Sequence, residues 1–413
     1  MERLIERCCG LDVHKATVSA CVRVTQRPRG KVEQEVRTFP TTTAELLALR
    51  DWLIEQRVTH VAMEATGVYW KPVYYVLEHD FELLLVNPAH FKQVPGRKTD
   101  VADCAWLAQL LQYGLLRASF VPPAPIRELR DLTRYRKSLT EERSRAANRL
   151  HKVLQDAGIK LSSVATDTLG VSGRSMLMAL AAGTTDPALL ADLAHGKLRK
   201  KLPELRQALA GRFGPHHRFM LSRLLADIDY VEEASRELSR RIEELLVPFA
   251  ATVERLITIP GVQRRTAEVV VAEIGADMSR FPSAAHLSSW AGMCPGNHES
   301  AGKRRSGKTR RGNRWLRTAL VEAGAAAGRT KHTALGARYR RLRAHLGHGR
   351  AVLAVGRHVL EIAYHLMAQP TTYRELGTDY FDRYRAERLK RRSLEQLRRL
   401  GYQVALTQIP TAA

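Results

Sequence analysis

The chain has 413 residues, 45% of them hydrophobic, and carries 66 Lys and Arg against 42 Asp and Glu, a formal charge of +24. That length predicts several domains with buried cores, and that charge predicts an anionic partner: nucleic acid first, an acidic membrane surface second. No apolar run nears the roughly 20 residues of a spanning helix, and MERLIERCCG lacks a signal-peptide apolar core, so a cytoplasmic protein with no membrane role is expected.

In chain order, CGLDVHK and ATVSACVRV read as strands, short and rich in β-branched residues. KVEQEVRTF alternates polar and apolar like a half-exposed strand. TTTAELLALRDWLIEQ has threonine caps followed by helical spacing. THVAMEATG is a further strand, and VYWKPVYYVLEH is a helix with Pro72 confined to its first turn. FELLLVNPAH is a buried strand stopped at Asn87-Pro88, and a long helical stretch follows Thr99. Three strands, helix, strand, helix, strand, helix predict a mixed α/β sheet covered by helices over residues 1–120. Five cysteines, Cys8, Cys9, Cys21, Cys104 and Cys294, fall at no zinc-ligand spacing and are expected as reduced core thiols.

The proline-rich VPPAPI opens a second region, 121–248. Leu132, Arg136, Leu139, Arg143, Ala146, Leu150 and Val153 recur by alternating fours and threes. Leu221 or Leu224, Ile228, Val231, Ser235, Leu238, Ile242 and Leu245 do the same. Such seams face a partner helix, so a helical hairpin or coiled coil is expected: either an oligomer interface or two amphipathic helices packed within one subunit. In residues 249–330, Ile259-Pro260-Gly261 followed by a helix resembles half of a helix-hairpin-helix, where helix-start amides hold a DNA phosphate. Pro-Gly turns between core helices are the plainer reading. Residues 331–413 form a basic, mainly helical tail.

Four acids stand out. Asp12 lies inside the first strand, and burial of an acid is costly unless it is paired or ligated. Glu64 ends another strand, and Asp100 and Asp103, three apart, share a face where a helix begins. Converging at one sheet end, they would suit Mg²⁺ or Mn²⁺. Taken singly, Asp100 reads as a cap, Asp103 as a first-turn acid and Glu64 as a partner of Lys98. Ser300 precedes a run from Lys303 to Arg317 with eight Lys and Arg and no acid. The run is either a solvated loop or a cradle for a phosphate that the serine attacks. Its cations, Lys303, Arg304, Arg305, Lys308, Arg310, Arg311, Arg314 and Arg317, are the expected nucleic-acid contacts.

GLDVHK with Asp12, AMEATGVYW with Glu64, and KTDVADCAWLAQLL with Asp100 and Asp103 resemble the DEDD domain of the IS one-ten insertion-sequence transposases. LITIPGVQRRTAEVVVAEIG, HLSSWAGMCPG and SAGKRRSGKTRRGNRWLR resemble that family's transposase domain. The resemblance implies an RNase H-like, RuvC-like first domain whose four acids bind Mg²⁺, a central coiled coil, and a mainly helical transposase domain with Ser300 as nucleophile. It further implies a recombinase acting on target and donor DNA through a covalent phosphoserine intermediate. An element-encoded guide RNA would direct it, and it would act as a homodimer or homotetramer with a site shared between subunits. One departure stands out: the family's serine is followed by glycine, whereas Ala301 here precedes Gly302. Ser306 and Thr309 therefore stay open as alternative hydroxyls. Two other functions stay open as well: a metal nuclease or junction resolvase using the acids and water, and a non-catalytic nucleic-acid scaffold.

Overall fold

The computed structural model describes residues 3–25, 32–88, 103–296, 298–300, 302–380 and 386–405. The chain divides between Val121 and Pro122 into two compact units.

The first unit is a mixed five-stranded sheet with helices. Its strands are β1 (Arg7–Val13), β2 (Thr17–Thr25), β3 (Val32–Pro40), β4 (His60–Glu64) and β5 (Glu82–Val86); its helices are α1 (Thr43–Glu55), α2 (Trp70–Leu77) and α3 (Asp103–Gln112). The strands lie in the order β3-β2-β1-β4-β5. β1, β2 and β3 run antiparallel, while β4 is parallel to β1 and β5 to β4. This matches the RNase H-like arrangement implied by the resemblance.

Side chains alternate across a strand, and β1 shows how the two faces are used. Cys9, Leu11 and Val13 enter a core with Leu49, Trp52 and Leu53 of α1 and Val73 and Leu77 of α2. The other face carries Cys8, which packs with Ala62, Leu107 and Leu111 beneath α3. Gly10 lies on that face because a Cβ there would come 2.2 Å from the Cys104 carbonyl and 2.5 Å from the Ala108 amide. β3 is exposed along most of its length. Glu33, Glu35 and Arg37 give that edge the charge that discourages pairing with another chain. All five cysteines are free thiols; Cys8, Cys9, Cys21 and Cys104 are buried as expected, whereas Cys294 is only half-buried, and burial pushes the Cys8 thiol up to about 12.

The second unit is mainly helical. Helices α4 (Ala124–Asp156) and α8 (Pro215–Leu246) pack along each other. They run in opposite directions, since Arg136 reaches Ser239 at 3.3 Å and Arg143 reaches Glu232 at 2.7 Å. Arg136, Leu139, Ala146 and Leu150 are buried along the seam of α4, and Ile228, Val231 and Ile242 along that of α8. The two seams thus meet within one chain as a helical hairpin. Between them in sequence, α5 (Val171–Ala182), α6 (Pro187–Asp192) and α7 (Leu202–Leu209) cover the far end of the hairpin, with Leu177, Leu190 and Leu205 packed against Leu150 and Leu221 in one core.

Next come α9 (Ala250–Ile257), α10 (Arg264–Ile274) and α11 (Ala284–Trp290), then a two-stranded sheet of β6 (His298–Ser300) and β7 (Lys303–Ser306). The chain continues through α12 (Arg314–Arg329), α13 (Ala334–Leu346), α14 (His348–Ala368) and α15 (Ala386–Arg399). α10 packs on both α4 and α12. The Pro260-Gly261 turn is a packing turn: Gly261 has φ 87°, and a Cβ there would sit 2.5 Å from the Ala323 carbonyl of α12. That backbone contact favours the plainer reading of the motif over an open phosphate cradle.

Candidate active site

Asp12 is one residue beyond Leu11 on β1, and Glu64 one beyond Met63 on β4, and Leu11 and Met63 are paired across the parallel strands. The two acids therefore sit at the same level, Glu64 as the last residue of β4 and Asp12 as the last but one of β1. Leu11 and Met63 belong to the core beneath α1 and α2. By alternation, Asp12 and Glu64 lie on the opposite face, the one α3 covers. Asp103 is the first residue of α3, and the carbonyl of Cys104 beside it packs directly over Gly10, two residues before Asp12 on β1. Three of the four expected acids thus share one end of the sheet and one face. Asp100 lies outside the described residues.

Asp12 Oδ2 is 3.1 Å from His14 Nε2, and its side chain is 27% exposed, enough to reach a ligand from solvent. As donors, the acids are oxygen only, which fits a hard divalent cation. Among the described residues, no group of three His, Cys, Asp or Glu is close enough together to hold a metal.

Ser300 ends β6, directly before the turn, and pairs with Lys303 across the hairpin. Gly302 in that turn has φ 72°, a backbone conformation that L side chains rarely adopt. Ser300 occupies the last position of β6, and Ala301, the departure from the family pattern, lies outside the described residues. Lys303, Lys308, Arg310, Arg311 and Arg314 are exposed, and Arg317 is half-buried. Arg304 and Arg305 lie on β7, Arg304 opposite Glu299. The Ser306 hydroxyl accepts the Lys308 amide at 3.1 Å, and Thr309 forms a bridge with Pro295.

The base of the hairpin is tied down by buried charge. Asn313 caps α12, its Oδ1 accepting from the amides of Trp315 at 3.0 Å and Leu316 at 3.1 Å. Its Nδ2 donates to Glu273 Oε2 at 2.5 Å. Glu273, fully buried in α10, also accepts two bonds from Arg134 of α4, at 2.7 and 2.8 Å, and lies 3.3 Å from Arg130 Nε. One turn earlier, Glu268 accepts from buried Arg136 at 2.5 Å. Arg317 reaches the Gly292 carbonyl at 3.3 Å, in the turn that follows α11 and precedes β6. Arg314 stacks its guanidinium 4.3 Å from the centre of the Trp315 ring.

Two family descriptions match the chain. A transposase model for the DEDD domain of IS110 elements covers residues 9–159, and "Transposase IS116/IS110/IS902 family" covers residues 253–340. Together they span more than half of the sequence and contain Asp12, Glu64, Asp103 and Ser300. The chain belongs to the IS110 family of transposases. It is 23% identical over 266 residues to the transposase for insertion sequence element IS1328 of Yersinia enterocolitica, covering 63% of this chain and 69% of that one. It is 25% identical over 306 residues to the pilin gene-inverting protein of Moraxella lacunata, covering 70% and 73%. A 43.6 kDa protein of insertion element IS110 from Streptomyces coelicolor is 37% identical over 99 residues, 24% of each chain. This transposase is thus an enzyme of the DNA-recombining class, and the DEDD match points to divalent-metal dependence in general. No helix among its described residues is long and apolar enough to cross a membrane.

Glu268 and Glu273 are absent from the sequence reading. One signal was there: two acids five residues apart in RRTAEVVVAEIG, among apolar residues, where an acid is buried only if paired.

Proposed function

We propose that this transposase cuts and rejoins DNA through Ser300. The serine oxygen attacks the scissile phosphorus, and the bond from phosphorus to the leaving sugar oxygen breaks. The serine proton is released, and the departing oxygen takes up a proton to leave as a hydroxyl. The phosphodiester's energy is kept in the serine link, so reverse attack by a sugar hydroxyl reseals a strand without ATP.

The position of Ser300 carries this reading: it stands at the tip of a hairpin, opposite Lys303, ahead of exposed Lys308, Arg310, Arg311 and Arg314. Cations fixed in place stabilise the charge that builds on the phosphate oxygens during attack. Ser306 is the poorer candidate, since its oxygen already holds the Lys308 amide. Asp12, Glu64 and Asp103, with Asp100, would hold the divalent ion, Mg²⁺ or Mn²⁺. Bound there, such an ion would polarise a phosphate oxygen and activate the attacking group. Lys303, Arg304, Arg305 and Arg317 complete the cationic set that would hold the DNA backbone. Guidance by an element-encoded RNA and action as a homodimer or homotetramer rest on the resemblance, with the +24 charge in accord with a second nucleic-acid partner.

The test traps the covalent species. Wild-type protein incubated with nicked or suicide DNA substrates is expected to yield a DNA-linked peptide that maps to Ser300. Ser300→Ala should abolish the adduct, a loss of at least about a thousandfold, while Ser306→Ala keeps it. An adduct surviving in Ser300→Ala would remove this serine from the mechanism, and cleavage without any adduct would return the protein to the metal-nuclease reading.

A further inference from the structure

Between α4, α10 and α12 lies a cavity of about 140 Å³, with Arg134, Arg136, Lys137 and Arg265 on its walls against Glu273 and Glu322. A second cavity, of about 410 Å³, lies between α4 and α8, lined by Arg143 and Arg236 against Glu232. Thr140 and Arg265 border both, so the two adjoin along α4.

All of these cations but one have an acid of their own. Arg134 holds Glu273, Arg136 holds Glu268, and Lys137 reaches Glu322 at 2.9 Å. Arg143 holds Glu232 at 2.7 Å, and Arg236 holds Glu233 at 2.9 Å. Arg265 is exposed and forms no ion pair or hydrogen bond among the described residues. Its neighbour Arg264, by contrast, lies 3.5 Å from Glu254 and 3.4 Å from Glu268. Arg265 is therefore the one cation of this set with no acid of its own, and it lines both cavities where they meet. The other cations are already neutralised by their carboxylates, so Arg265 is the guanidinium left to take an anion from outside.

We propose that these adjoining cavities form a subsite for the DNA backbone, with Arg265 as the guanidinium that anchors a phosphodiester. The choice of DNA follows from the family, and rests on the reading that the basic hairpin handles the strand. α12, one wall of the smaller cavity, begins at Arg314, a short loop after β7 ends at Ser306, and Trp315 lines the cavity at that end. The guanidinium fork matches a phosphate's paired oxygens.

The test measures equilibrium binding of a labelled DNA duplex by fluorescence anisotropy between roughly 50 and 200 mM salt. It uses Ser300→Ala protein, so no covalent link contributes and the outcome is separate from that of the nucleophile test. Arg265→Ala is expected to weaken binding about tenfold and to flatten the log–log salt slope by roughly 0.9, one phosphate's worth. Arg265→Lys should keep the slope, because the charge remains. Arg223→Ala, which removes an exposed arginine elsewhere on α8, should leave affinity and slope near the parent's; unchanged circular dichroism confirms that the variants fold. The proposal is overturned if Arg265→Ala binds with the parent's slope, or if Arg223→Ala has the same effect as Arg265→Ala. It also falls if the loss appears with single-stranded RNA and not with duplex DNA.

Discussion

The acids of the first unit and the hairpin of the second are held by different forces. Asp12 and Glu64 lie at the ends of neighbouring strands, Asp12 one residue before the end of β1, and follow Leu11 and Met63, which are fully buried, so their level follows from sheet register and an apolar core. Moving either acid means unzipping hydrogen bonds and exposing that core. The hairpin of β6 and β7 is only three and four residues long on its two sides and is too small for a core of its own. Its placement depends on a cap, Asn313, and on one buried carboxylate, Glu273, held by arginines of α4. Sheet-borne groups should therefore tolerate changes around them, whereas the hairpin should fail through a few polar contacts.

The largest effect should come from the sheet-borne acid itself. Asp12→Asn keeps the shape of a partly exposed side chain and removes its charge. If Asp12 helps to hold a divalent ion, strand cleavage should fall by at least roughly a thousandfold, with duplex affinity and melting temperature near the parent's. Cleavage at the parent's rate would mean that the acids are structural, and would leave Ser300 to act without them.

Much of the first unit was legible because its strands are β-branched runs of the right length, bounded by turn residues; the eight elements occur in the expected order. The shared end of the sheet was read from the sequence, but the face was not: it follows once Leu11 and Met63 are seen in the core beneath α1 and α2. The β6–β7 hairpin was not legible as structure, since HES and KRRS show no alternation, and Ser300 stood out only by its motif and charge. The long seams were legible as seams. Their partner was not, because a heptad spacing is the same whether the facing helix belongs to the same chain or to another copy. The Arg134–Glu273 pair joins residues 139 apart in sequence, a separation that no local pattern encodes. The Pro-Gly turn left two readings open for a similar reason: what decides for the plainer one, the backbone of α12 it packs against, lies far along the chain.

The second effect in size tests the weaker attachment. Glu273→Ala leaves Arg134 and Arg130 without their counter-charge and should cost about 3–5 kcal/mol, the range for breaking a buried ion pair from one side. Urea denaturation measures it. Glu273→Gln keeps the shape and part of the hydrogen bonding, so it should cost less while still loosening the Asn313 amide contact. Covalent-adduct formation should slow more than duplex binding weakens. Adding Asn313→Asp to Glu273→Gln restores one carboxylate facing one amide with the roles reversed, and keeps an oxygen to cap α12. Partial recovery of the adduct rate in the double variant would show that the contact positions the hairpin; no recovery, with stability restored, would make it a packing contact only.

The smallest effect tests the sturdier attachment. Gly10→Ala adds a methyl group that must displace the backbone of α3 at Cys104 and Ala108, next to Asp103. Overpacking of this kind costs about 1–3 kcal/mol, and the core beneath α1 and α2, on the other face of β1, should absorb little of it. Hydrogen exchange should therefore quicken in α3 and leave α1 and α2 near the parent's protection, with the amides of β6 and β7 unchanged. Metal-supported cleavage should drop because Asp103 moves with its helix while Asp12 and Glu64 stay in register. Loss of protection throughout the sheet would mean instead that the acids depend on α3 for their level, and that register alone does not hold them.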